Sequence, residues 1–155
     1  MNNNDRIKRL RYALDIKDND MIEIFKLGHV EVTKDEFLSM LRKVNDEDYE
    51  LELTDEQFER FLNGMIISQR GVKDGPEQPL ELHPGNANNV MLKKLKIALS
   101  YTTEDMIDTL DDANIIVSKS QMGSFLRKEG HRNYEPCGDN YARNFLKGLM
   151  TNYRK

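Results

Sequence analysis

The chain has a single cysteine, Cys137, so no internal disulfide is available. Stability must then come from packing and hydrogen bonds, which agrees with a reducing cytoplasm. Tryptophan is absent, and of the 4 prolines all but Pro136 fall between residues 72 and 88, leaving long intervals open to helix. No apolar run approaches the roughly 20 residues that span a bilayer. The opening MNNNDRIKRLRYAL has neither the apolar core nor the small-residue cleavage site of a secretory signal. Neither G-x-G-x-x-G nor G-x-x-x-x-G-K occurs, and no aspartates alternate around a central glycine as a calcium loop requires. Sustained period-two alternation is also missing, so no significant sheet is expected. These absences disfavour an enzyme and imply no cofactor.

What is present is a repeat. Residues 4–43 align without a gap on residues 89–128 after a shift of 85, with 14 identities in 40 positions. One long ungapped register of this kind means internal duplication. It divides the chain into a first repeat at 1–71, a Pro/Gly-containing crossover at 72–88, and a second repeat at 89–155. Each repeat is small enough that a lone core would be marginal, so the copies should pack on each other with approximate twofold pseudosymmetry. With a mean hydropathy of −0.72, the chain reads as an ordered and rather polar protein. Charge is uneven: −5, −2 and +3 over the three segments. A basic second repeat can mark a nucleic-acid face, or simply complement the acidic first one.

The periodicity predicts all-α structure, with roughly four helices per copy. Ile7, Leu10, Ala13 and Leu14 form the apolar stripe of the first helix, and Leu92, Leu95, Ala98 and Leu99 that of its counterpart. Arg6, Lys8 and Arg9, then Lys93, Lys94 and Lys96, should form the opposite, solvated face. A second helix starts at Asp18, or at Thr102 or Thr103, and buries Met21, Ile22 and Phe25, or Met106, Ile107 and Leu110. Gly28 and Asn114 suit left-handed stops. Thr33 with Glu36 and Ser118 with Gln121 read as capping boxes for a third helix, with hydrophobic staples from Val32 to Phe37 and Val117 to Met122. That helix should end on the cations Arg42-Lys43 and Arg127-Lys128. Thr54 with Gln57, and Asp139, open a fourth. Phe37, Leu41 and Phe61 are expected in the first core, with Met122, Leu126 and Phe145 as equivalents.

Two constellations carry possible chemistry. His131, Glu135, Cys137 and Asp139 have ligand chemistry in one loop, but the first copy has Glu52 near the place equivalent to Cys137, and a structural or incidental cysteine is the preferred reading. The second and third helices of the second copy could form a helix-turn-helix. Lys119, Ser120 and Ser124 would then face bases, with Arg127, Lys128 and the basic stripe Lys93, Lys94 and Lys96 available for phosphates. Paired antiparallel helices are equally ordinary in any bundle.

Read together, RLRYALD, DMIEIFKLG, VTKDEFLSMLRK and FLNGMIISQRG in the first copy, with KIALSYTTEDMI, VSKSQMGSFLRK and RNFLKGLM in the second, resemble the YehS-like family of uncharacterised bacterial proteins. The resemblance spans nearly the whole chain apart from the crossover. It implies a small, duplicated, cytoplasmic bacterial protein and carries over no catalytic or binding residue. The expected function is a non-enzymatic helical interaction module that binds a protein partner or itself, without a membrane. Nucleic-acid binding by the second repeat is the alternative.

Overall fold

The computed structural model describes residues 1–72 and 75–154; Lys73 and Asp74 of the crossover, and Lys155, lie outside the described residues. Eight helices follow in order: α1 (Asn3–Leu14), α2 (Asp18–Leu27), α3 (Lys34–Leu41), α4 (Asp55–Arg70), α5 (Ala87–Ala98), α6 (Thr103–Asp111), α7 (Lys119–Leu126) and α8 (Asp139–Tyr153). Among the described residues, an isolated bridge between Lys43 and Tyr49 is the one piece of β pairing. Residues 75–86 of the crossover form no helix or strand, as their prolines and glycines favour, whereas Ala87 and Asn88, assigned to the crossover from the sequence, already belong to α5.

Short polar side chains set the helix starts. Thr33 and Thr54 make complete capping boxes with Glu36 and Gln57, and Asn2 with Asp5 and Thr102 with Asp105 add two more. Ser118 makes only half of one. Its hydroxyl accepts from the Gln121 amide, but the Gln121 side chain turns away to donate to the Tyr141 hydroxyl at 3.2 Å. Of the two expected left-handed stops, Asn114 holds and Gly28 does not. The left-handed residues fall at Asp15 and Ser100, then at His29 and Asn114, each pair one repeat apart. Gly28 itself has φ −88°. It is a glycine because a Cβ there would lie 1.9 Å from the Arg60 carbonyl oxygen.

The first helix of each repeat packs chiefly on the fourth helix of the other, α1 on α8 and α4 on α5. Within each repeat, α2 lies on α4 and α6 on α8. Mid-helix glycines bring these pairs close: a Cβ at Gly64 would sit 2.0 Å from the Ile24 carbonyl oxygen, and one at Gly148 1.9 Å from that of Thr109. The core is continuous across both repeats and includes Phe37, Phe61, Met122 and Phe145. On the third helices, Phe37 and Met122 are buried together with Met40 and Phe125, whereas Leu41 and Leu126, expected in the core, stay half-buried. These helices end at Leu41 and Leu126, so Arg42 and Arg127 already stand in extended backbone beyond them.

The interior also holds a cluster of buried polar side chains. Asn4 donates to the carbonyls of Met40 and Leu51 and accepts from the Leu53 amide, while Asn89 does the same with Phe125, Glu135 and Cys137. Asn3 and Asn88 likewise bind the Leu53 and Cys137 carbonyls and the carboxylates of Asp55 and Asp139. These matched bonds show that past the connector the repeat shift falls from 85 to 84, so Leu53, not Glu52, is the counterpart of Cys137. Arg6 is 5 % exposed rather than solvated. It joins the halves by donating to Asn88 Oδ1 at 2.8 Å and to Asn3 Oδ1 at 2.9 Å. Burial pulls its guanidinium below the ordinary value, and Asp139, Asp5 and Asp55 oppose that shift. Met91 stands at the equivalent place in the second repeat.

Candidate functional site: a cationic groove between α1 and α8

Helical spacing puts Asp5, Lys8, Arg9 and Tyr12 on one face of α1, and Arg143, Lys147 and Met150 on one face of α8. Where those faces meet, they bound a groove of about 650 Å³. Ala13, Leu41 and Leu146 contribute to its apolar lining, and Lys43 and Tyr49 reach it from the connector after α3. Six cations line it: Lys8, Arg9, Arg11, Lys43, Arg143 and Lys147. Arg11 is committed to Asp18 at 2.6 Å. Among the described residues, the other five make no ion pair within 4.0 Å.

Asp5 is the one carboxylate on this lining, and it is already engaged. It accepts from the Tyr49 hydroxyl at 2.6 Å and from the Asn2 amide at 3.0 Å. Burial acts to raise the Asp5 carboxyl, but the Tyr49 and Asn2 hydrogen bonds and the charges of Lys43 and the N-terminus outweigh it and hold it below the ordinary carboxylate range. The same contact, with desolvation as the larger cause, pushes the Tyr49 phenol up. Lys8 and Lys43 both stand over the Tyr49 ring, at 5.8 and 5.7 Å from its centroid. These cations give the groove a positive field above an apolar floor.

The residues singled out for nucleic acid are placed otherwise. Lys93 pairs with Glu81 at 3.2 Å, Lys94 with Glu59 at 3.5 Å, and Lys119 with Glu104 at 3.2 Å. Lys96 is half-buried on α5, and Ser120 is exposed. Ser124 donates its hydroxyl to the Ser120 carbonyl, one turn back. Arg127 and Lys128 are exposed after α7. The loop with ligand chemistry does not gather: Asp139 holds the N-terminal ammonium at 2.7 Å and Asn88 at 2.8 Å, and the His131 ring accepts from the Asn133 amide. Among the described residues, no group of three or more His, Cys, Asp or Glu could hold a metal ion. Cys137 is buried, and burial, with the neighbouring Asp139 and Glu135 carboxylates, pushes its thiol up to about 12.

Sequence reading missed the groove because its two walls are far apart along the chain. Lys8 and Arg9 were visible as a basic face; Arg143 and Lys147, at i and i+4 on the last helix, were the available second signal.

The architecture defines an all-helical, internally duplicated protein whose repeats exchange their outer helices. The chain belongs to the family described as "Protein of unknown function (DUF1456)", whose model matches residues 3–71 and again 88–155. It is 37 % identical over 151 residues to "Uncharacterized protein YehS" of Escherichia coli (strain K12), an alignment covering 97 % of this chain and 96 % of that protein. No solved structure matches the chain. Among the described residues, no helix is long and apolar enough to cross a membrane.

Proposed function

We propose that this chain is a non-enzymatic interaction module, working in the cytoplasm and engaging another polypeptide through the α1/α8 groove. The observation that carries this reading is the set of five cations above an apolar floor that make no ion pair within 4.0 Å among the described residues. Apolar contact supplies most of the binding free energy at such a site, and the cations steer encounter and select an acidic partner. The test is a photo-crosslinking amino acid at Asn144, which lines the groove, compared with one at exposed Lys26 on α2. The expected result is an identified protein adduct, a second copy of the chain included, that forms from position 144 alone. It should resist nuclease and vanish when Arg143 and Lys147 are reversed to glutamate. Equal labelling from both positions, or none, refutes the reading.

The alternative is nucleic-acid binding through the second repeat, with Lys93, Lys94, Lys96, Lys119, Ser120, Ser124, Arg127 and Lys128 as contacts. The observation favouring it is the exposed Arg127-Lys128 pair, which makes no ion pair within 4.0 Å among the described residues. On this reading, affinity for duplex DNA falls with salt by a slope of about −0.9 per phosphate neutralised, and Arg127→Glu abolishes it in a folded protein. Titration of labelled DNA and RNA at two salt concentrations separates the readings.

A further inference from the structure

We infer that the α1/α8 groove takes an extended acidic segment of a partner protein, seated as the opposite groove seats the chain's own crossover. This rests on the preceding reading that the groove binds a polypeptide.

The pseudo-twofold relates two grooves, α1 against α8 and α5 against α4. The second is occupied. Buried Glu59 on α4 accepts the backbone N–H groups of Glu81 and Leu82 at 2.8 and 2.7 Å. Lys93 on α5 pairs with Glu81, and Arg60 with Glu77 at 3.2 Å. Lys94 lies between Glu59 and Asn63, donating to the latter at 2.6 Å. Leu82 packs against the core. Residues 77–82 thus lie across α4 and α5 without regular structure, acids and leucines interspersed, held by cations on the side chains and a carboxylate on the backbone.

Carried over by the repeat shift, Lys93 and Lys94 become Lys8 and Arg9, and Glu59, Arg60 and Asn63 become Arg143, Asn144 and Lys147. All five equivalents line the open groove. The groove is therefore the twin of a seat that already holds polypeptide. At these five positions three cations and one carboxylate become four cations and no carboxylate, and Asp5, which stands where the seat has Val90, is already engaged by Tyr49 and Asn2. Arg143 offers donors where Glu59 offers an acceptor, so the occupant must present carbonyl or carboxylate oxygens there. It must also carry acids, as the crossover does. Aliphatic residues between the acids would meet Leu146 and Met150 on the floor.

The test is fluorescence anisotropy with the full chain and a labelled peptide copying residues 76–83. The controls are the same peptide with both glutamates changed to glutamine, and a single-stranded oligonucleotide of matched length. Binding should be of roughly micromolar affinity, and should weaken as salt screens the cations. The glutamine peptide should bind at least about tenfold more weakly, a difference of about 1.4 kcal/mol. R143E together with K147E should reduce acidic-peptide affinity by at least as much, whereas K93E in the occupied seat should leave it unchanged. If the double reversal unfolds the chain, R143Q alone serves, with a smaller loss in the same direction.

Equal binding of the neutral peptide, indifference to the groove substitutions, or preference for the oligonucleotide would overturn the inference. A loss confined to K93E would also do so, since the peptide would then be displacing the crossover from its own seat. If no peptide binds while the protein adduct at Asn144 persists, the groove binds a differently shaped partner and only this inference falls. If both are absent, both readings fall.

Discussion

Gly148 sits in the middle of α8, where alanine is ordinarily the better helix residue by about 1 kcal/mol. The structure reverses that sign. A Cβ at this position would lie 1.9 Å from the Thr109 carbonyl oxygen and 2.9 Å from its carbon, backbone atoms of α6 that no rotamer change can move. Normal contact requires α6 and α8 to separate by more than an ångström, in a core where Phe145, Leu146 and Leu149 are already fully packed. Overpacking of this kind costs typically about 1–3 kcal/mol even after relaxation. For a chain of this size each kcal/mol shifts Tm by about 2–4 °C, so Gly148→Ala should lower Tm by roughly 2–12 °C. Gly64→Ala should do the same against the Ile24 carbonyl. Gly123, inside α7, supplies the control, because a Cβ there meets nothing within 4 Å. Gly123→Ala should leave Tm unchanged or raise it by a few degrees. Calorimetry of the three variants decides the matter. A Gly148→Ala protein as stable as the parent would show that the α6–α8 approach is wrong.

Phe61→Ala and Phe145→Ala should each cost about 3–5 kcal/mol in a urea titration, since both rings are fully buried. Asn89→Ala leaves the Cys137 amide and two carbonyls without their partner; about 1–3 kcal/mol for one unsatisfied buried donor sets the scale, and amide exchange at Cys137 should accelerate. Cys137 should resist thiol reagents until the protein unfolds. Its thiol rises from 9.0 to about 12 on folding, so the folded state holds the proton longer. Its effect on stability is therefore flat below pH 9 and declines above it, by about 1.4 kcal/mol per pH unit. The difference between parent and Cys137→Ala unfolding free energies from pH 8 to 11 isolates that slope.

The repeat, the helix number and most helix starts were legible because each depends on local chemistry. A threonine with an acidic or amide side chain three residues on makes its cap wherever the chain goes afterwards. The buried polar cluster was not legible. Asn3, Asn4, Asn88 and Asn89 precede the apolar stripes, and their burial depends on carbonyls tens of residues away. Arg6 was assigned to solvent for the same reason, since its partner Asn88 belongs to the other repeat. The third helix of the first copy slipped by one position, with Met40 replacing Leu41, because eight residues give too short a period to fix the buried face. The groove needed the one fact that a duplicated sequence does not state, namely which helix of one copy lies on which helix of the other.

That exchange of helices has a consequence for how such a chain can be divided. A single repeat would lack the fourth helix that covers its first, and could recover it only by pairing with another copy of itself. The resulting homodimer would have two identical clefts, free to evolve only in step. Joining the copies through a tether breaks the equivalence, since the tether must lie across one cleft and not the other. Fusion thus gives one cleft a permanent occupant and leaves its twin free to change its charge, which is the difference between Glu59 and Arg143.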